Sequence, residues 1–201
     1  NTTGNTIGSS SATGAIVVTS TTTAPTVNGI LSASTATVNI GTGGGSPVGN
    51  SIGGITVTGT TAALGATLNA VNITGAGIYT VSGNTLGSTT VSNNMQAGTL
   101  SFTTGVTTFT GIFNSAATNL TINKNTIAGG VAYGTGGGTN TDGINNGAGL
   151  LTATENTIYN LMTYGSTWSA IGIEQRSTTA GLTISQNTIY NLTHNNQASG
   201  S

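Results

Sequence analysis

Only 2% of the 201 residues are charged, two Lys or Arg against three Asp or Glu, and the net charge is −1. Globular domains carry roughly 25% charged residues, and nucleic acid or an anionic membrane surface demands a basic patch, so neither partner is expected. With 35% hydrophobic residues and almost no charge, the chain also lacks the composition of a disordered one and is expected to fold or to associate with itself.

There is no Cys, so disulfides and thiolate metal sites are excluded and stability must come from packing. No apolar stretch approaches the roughly 20 residues of a membrane helix, and Ile16-Val17-Val18 typifies the short runs present, so no membrane insertion is expected. The chain opens at Asn1 without Met and without a charged-then-apolar leader, as expected of a mature product or of a piece of something longer.

In chain order, GNTIGS from Gly4 is followed by Thr-rich and Gly-rich stretches in which Pro25 and Pro47 read as turns or loops. Short alternations of Thr, Val, Ile and Leu come next: ITVTGT from Ile55, TLNAVNITG from Thr67, IYTVSGNTLG from Ile78 and TLSFTTGVTTFTGIF from Thr99. Alternation in β-branched residues predicts strands. Gly every few residues and the scarcity of Glu, Lys, Arg and Gln predict almost no helix.

From Leu120 one phrase recurs in register, LTINKNTIAG, LTATENTIYN from Leu151 and LTISQNTIYN from Leu182, at offsets of 151 less 120 and 182 less 151, or 31 both times. This aligns Asn125, Asn156 and Asn187, then Thr126, Thr157 and Thr188, then Ile127, Ile158 and Ile189. A weaker copy, YTVSGNTLG, places Asn84 at the head of the same column, 41 residues before Asn125. A fixed period of this size marks a solenoid whose repeats bury their apolar faces on one another. The expected organisation is one continuous domain, with irregular rungs over 1–119 and regular rungs of 31 residues over 120–201, forming a segment of a longer repetitive assembly. An offset of 31 suits one turn carrying a loop, and 41 suits two short turns. Gly134 to Gly147 and Thr163 to Trp168 are the expected loops, with Gly143-Ile144 and Gly172-Ile173 returning as a further strand.

LTISQNTIYNL and its fellows resemble the turns of right-handed parallel β-helix proteins of pectin-lyase-like type, especially the long β-strand-repeat proteins that bacteria secrete or display. The resemblance implies an all-β parallel solenoid at the bacterial cell surface or outside the cell. In such a coil, strands stack about 4.8 Å apart and equivalent residues form ladders. Asn84, Asn125, Asn156 and Asn187 are then expected at a bend, where Asn tolerates left-handed backbone angles and its amide bonds the next Asn. Lys124, Glu155 and Gln186 share the preceding column, so Lys124 faces Glu155 as an inter-rung ion pair that selects register. Glu174 and Arg176, two apart on one strand, form a second pair.

Many parallel β-helix proteins degrade polysaccharides. Glycoside hydrolysis needs two carboxylates flanking one bond, and the chain offers only Asp142, in a Gly-rich loop, with Glu155 and Glu174, which could approach across a rung. No catalytic residue, cofactor or metal site is therefore expected, and His194 reads as a surface residue. Thr56 and Thr58 are placed as an ice-binding Thr face would need, without a constant offset. Tyr79, Tyr159, Tyr164, Trp168 and Tyr190 could serve as sugar platforms, although Tyr159 and Tyr190, one period apart, are expected to stack on each other. Sequons at Asn1, Asn72, Asn119 and Asn191 allow surface glycans. Both termini interrupt the repeat motif, so open rungs that recruit further strands are expected. The reading is a non-enzymatic structural protein, self-associating head-to-tail or laterally into a filament, sheath or stalk. The alternative is a monomeric, ligand-binding adhesin stalk, with a polysaccharide-degrading enzyme third. So few groups titrate that stability should hardly vary between about pH 5 and 8.

Overall fold

The computed structural model describes residues 4–42, 48–99 and 103–195, so Pro47, the sequon at Asn1 and residues 100–102 of the segment from Thr99 lie outside the described residues. It is an all-β parallel solenoid, with no helix among the described residues.

The first coil runs through β1 (Thr6–Gly8), β2 (Ile16–Ser20), β3 (Thr26–Ser32) and β4 (Thr37–Gly41). The second comprises β5 (Ser51–Gly53), β6 (Ile55–Gly59), β7 (Ala66–Ile73) and β8 (Ile78–Ser82). The third holds β9 (Thr85–Gly87), β10 (Met95–Ala97), β11 (Thr107–Asn114) and β12 (Asn119–Asn123). The fourth holds β13 (Thr126–Ala128), β14 (Gly130–Ala132), β15 (Asn140–Asn146) and β16 (Leu150–Thr154). In the fifth, β17 (Thr157–Thr163) spans two strand positions and is followed by β18 (Ala170–Gln175) and β19 (Thr183–Ser185); β20 (Thr188–His194) opens the next.

Every strand pairs in parallel with its equivalent one coil away, giving three sheets. Sheet A holds β1, β5, β9, β13, β17, β14, β10, β6 and β2, with β20 on β17; sheet B is β18-β15-β11-β7-β3; sheet C is β19-β16-β12-β8-β4. Pro25 lies just before β3, and its carbonyl accepts the Thr67 amide of the next coil, so the missing N–H breaks no ladder.

The coil lengths differ from the expectation in an instructive way. Asn84 bonds Asn125 directly across an offset of 41, so that offset is one coil, not two short turns. Its extra residues are loops: Ser88–Asn94 separates β9 from β10, where Gly129 alone separates β13 from β14. The Ser88 hydroxyl accepts the amides of Thr90 and Val91, so the loop supplies its own turn contacts. The stretch from Gly134 to Gly147 is likewise only half loop, because Asn140–Asn146 is β15. Ile144 pairs with Ile173 in the strand read from the Gly-Ile pairs.

Inward-facing apolar side chains form one core along the axis, including Ile52, Leu68, Leu86, Phe109, Ile112, Leu120, Ile127, Leu151 and Ile158, all with 0–1% exposure. A column of small residues opposes a column of large ones. A Cβ on Gly111, Gly143 or Gly172 would lie 2.6 Å from the Cγ2 methyl of Ile127, Ile158 or Ile189, and one on Gly29 2.8 Å from that of Ile52. The remaining member of the small column is Ala70; the large residue at the start of the coil that follows it is Leu86, a side chain without a Cγ2 branch. Close packing therefore explains the pairing of glycine with isoleucine.

Candidate functional site

Two structures stand out on the solenoid: a polar ladder at one corner and a groove on the outside of sheet B. At the corner between sheets C and A, Asn84 Nδ2 donates to Asn125 Oδ1 at 2.9 Å, Asn125 to Asn156 at 3.0 Å and Asn156 to Asn187 at 2.9 Å. Each backbone amide donates to the same oxygen as its side chain, so one Oδ1 closes two bonds per step. The ladder extends back through Asn50 and Asn5, which repeat-matching did not single out as members. Asn84, Asn125 and Asn156 are 1% exposed, so their backbone amides would lose their acceptor without the next Asn, while each side-chain amide also donates to two backbone carbonyls.

The left-handed residue at this corner is not the ladder Asn but the one before it. Gly83, Lys124, Glu155 and Gln186 have φ of 64, 56, 56 and 57°. For Lys, Glu and Gln that conformation costs roughly 1–2 kcal/mol each. The chain holds it because the following Asn is fixed above and below. Lys124 Nζ lies 3.7 Å from Glu155 Oε2, as the shared column implies, with 64 and 49% of the side chains exposed; such a pair is worth about 0–1 kcal/mol. Thr126, Thr157 and Thr188 pair in line in sheet A beside Ile127, Ile158 and Ile189. The first two isoleucines are core, whereas Ile189 is 41% exposed on the last coil.

Other residues fall into place around these. Thr56 neighbours Val17 and Gln96, so it forms no Thr row. Threonine rows form instead where the recurring phrases align, one of them being Thr80, Thr121, Thr152 and Thr183 on sheet C, the second residue of each phrase. Tyr159 and Tyr190 stack at 4.8 Å and 3°. Tyr79 is wholly buried and Tyr164 packs on Tyr133 in a small satellite core, so neither is a surface platform. His194 is exposed, with Nε2 against the Gly165 carbonyl. Asn119 and Asn191 are exposed sequons; Asn72 is partly buried and bonds Asn28.

The carboxylates are arranged differently from the expectation. Glu155 is held at the corner with Lys124, and the residue that meets Glu174 is Asp142, which lies in strand β15 and is 0% exposed. Sheet B strands bend at Gly29, Ala70, Gly111, Gly143 and Gly172, where the pairing skips a residue. Polar side chains on either side of the bend meet outside it: Asn72 reaches Asn28 at 2.9 Å, and Asn145 reaches Asp142 Oδ2 at 2.9 Å. Asn145 Nδ2 also donates to Glu174 Oε2 on the next strand, so one amide clamps both carboxylates. Asn140 donates to Asp142 Oδ2 at 2.8 Å, and Arg176 pairs with Glu174 at 3.7 Å.

The resulting groove encloses about 240 Å³ between Thr67, Asn69, Thr108, Thr110, Phe113, Asn140, Asp142, Asn145 and Arg176. A second cleft of about 170 Å³ shares Asn140 and Arg176 and adds Gly138, Trp168 and Glu174. Burial is the main reason the Asp142 carboxyl is pushed up to about 6, opposed by the Asn145 bond and reinforced by Glu174. Asp142 Oδ1, Asn145 Oδ1 and Asn72 Oδ1 are buried with no hydrogen-bond partner.

No family model, no curated protein and no solved structure matches this chain. The functional reading accordingly rests on the ladder, the coil edges and the groove.

Proposed function

We infer that this is a non-enzymatic structural protein of the bacterial exterior, extracellular or on the cell surface. It works by stacking coil on coil as a subunit or segment of a filament, sheath or stalk, and its partners are further copies of itself. The observation that carries this reading is that each coil is completed by the next: Leu151, Ala153 and Ile158 are fully buried beneath the coil of Leu182, Ile184 and Ile189, and the Asn ladder bonds six successive coils through one repeated side chain. Each added coil buries apolar surface at roughly 25 cal/mol per Å².

The ladder supports the same direction of growth. It is polar, each Asn donating to the next, so Asn187 of one solenoid is matched to donate to Asn5 Oδ1 of another. The contact is heterologous and propagates as a filament. With so few charges on the chain, nothing electrostatic opposes close approach of copies. Glycans at Asn119 and Asn191 would keep lateral faces apart.

Electron microscopy of the purified chain in low and high salt, with fibre diffraction of any filaments, tests the reading. Filaments that survive high salt and give a spacing near 4.8 Å along their axis are expected. Discrete monomers in both conditions would overturn self-stacking and favour a monomeric adhesin stalk.

A further inference from the structure

The outer groove of sheet B lies away from the apolar core, and together with the cleft adjoining it concentrates the chain's rarest groups: two of its three carboxylates, one of its two cations and its single Trp. We propose that this groove is a binding site for a neutral oligosaccharide, with Trp168 packing against an apolar sugar face while Asp142, Asn145 and Glu174 accept hydrogen bonds from its hydroxyls.

The argument starts from unmet hydrogen bonding. Buried polar atoms in native proteins are nearly always paired, and here Asp142 Oδ1 and Asn145 Oδ1 are orphaned on residues that are 0 and 5% exposed and line the groove. Asn145 cannot relieve itself by turning, because its Nδ2 is committed to both carboxylates. Both orphans are acceptors, so the missing partner is a donor.

Three classes of partner for these oxygens compete, a metal ion and two kinds of hydrogen-bond donor. A metal ion is disfavoured because Arg176 shares the cleft with Glu174, and no cluster of three His, Cys, Asp or Glu occurs among the described residues. An ammonium group meets the same Arg176 charge. Sugar hydroxyls are uncharged donors and also acceptors, which lets them use Arg176 and Asn140 as well. Trp168, 44% exposed and lining the adjoining cleft, supplies the flat apolar surface that a pyranose C–H face needs. An acidic saccharide would face Asp142 and Glu174 against one Arg, so the neutral class fits better.

Because Trp168 is the only Trp, intrinsic tryptophan fluorescence reports on this groove alone. The chain is titrated with cellopentaose, laminaripentaose, mannopentaose and, separately, calcium chloride. At least one sugar should change the emission saturably in the millimolar range or below, and Glu174→Gln and Asp142→Ala should each weaken that binding about tenfold or more. Arg176→Ala, at a side chain 59% exposed, guards against an Asp142 variant that fails to fold and should weaken binding several-fold. A saturable response to calcium with none to sugars would overturn the proposal in favour of a cation site. No response to any sugar, or sugar binding unaffected by Glu174→Gln and Arg176→Ala, would overturn it outright.

Discussion

Asn156→Ala tests whether the corner ladder holds the solenoid together. Asn156 Oδ1 accepts from the backbone and side chain of Asn125 at 3.0 Å, and its Nδ2 donates to Ile122 O, Thr154 O and Asn187 Oδ1 at 2.9, 3.1 and 2.9 Å. Not all of these leave a deficit. Thr154 O keeps the Lys124 amide, Asn187 Oδ1 keeps the Asn156 amide, and Asn125 Nδ2 keeps Val81 O and Asn123 O. The Asn125 amide loses its acceptor in a site where Asn125 is 1% exposed, and the Ile122 carbonyl loses a donor. An orphaned buried group costs about 1–3 kcal/mol, so the variant should lose about 2–6 kcal/mol. Asn187→Ala is the comparison at the outer coil: it takes the acceptor from the Asn156 amide and a donor from Ala153 O, but these bonds are only part-buried and water can replace them, so a smaller loss of about 1 kcal/mol is expected. Urea denaturation followed by circular dichroism gives both values. Equal losses for the two variants, or less than about 1 kcal/mol for Asn156→Ala, would refute the ladder as the source of corner stability.

Two further predictions follow from the core and the groove. Gly143→Ala should destabilise by about 1–3 kcal/mol, because its Cβ would meet the Gly172 carbonyl oxygen at 2.5 Å and the Ile158 Cγ2 methyl at 2.6 Å; Ile158→Leu removes only the second contact and should recover part of the loss, and additive effects in the double mutant would show that the two positions do not pack together. Asp142 favours its proton in the folded state, with the carboxyl raised from 3.8 to about 6, so unfolding free energy should fall as pH rises across that interval and level off above it, by about 3 kcal/mol in total. This replaces the expectation of a flat profile from about pH 5. Asp142→Asn should abolish the slope, and parallel pH profiles for wild type and variant would show that Asp142 is not its origin.

The ladder was legible where its context repeats and illegible where it does not. Asn125, Asn156 and Asn187 stand in long near-identical phrases at a constant offset, so alignment finds them; Asn50 shares only the short GNSIG with GNTIG at Asn5 and GNTLG at Asn84, at offsets of 45 and 34 residues that fit no fixed period. The solenoid tolerates this because a loop changes the length of a coil without changing the register of its strands. The strained residues carry even less signal. Nothing in Lys124, Glu155 or Gln186 as residue types indicates a left-handed backbone, which neighbours one coil away impose. Asp142 illustrates the opposite error: GTNTDGINNG reads locally as a loop, but pairing with Thr110 on one side and Ile171 on the other makes the second half a strand and buries the carboxyl. Local composition is a weak guide to a strand whose stabilising contacts are all at least one coil distant.

That distinction between columns also separates the two functional readings. Along the corner, the exposed column before the Asn varies, while the inward columns keep one residue type or a close substitute, Asn in six successive coils and Ile or Leu two residues on. Stacking demands it, since each side chain is the partner of its own copy. On the outer face of the bent sheet, one column reads Asn28, Asn69, Thr110, Asp142, Ile171 and its neighbour Leu31, Asn72, Phe113, Asn145, Glu174. No rule of self-pairing produces that series, and burial holds the Asp142 carboxyl above its usual range, at about 6. Asp142, with its partnerless oxygen, is therefore the residue at which the proposed sugar site and the stack make separable predictions.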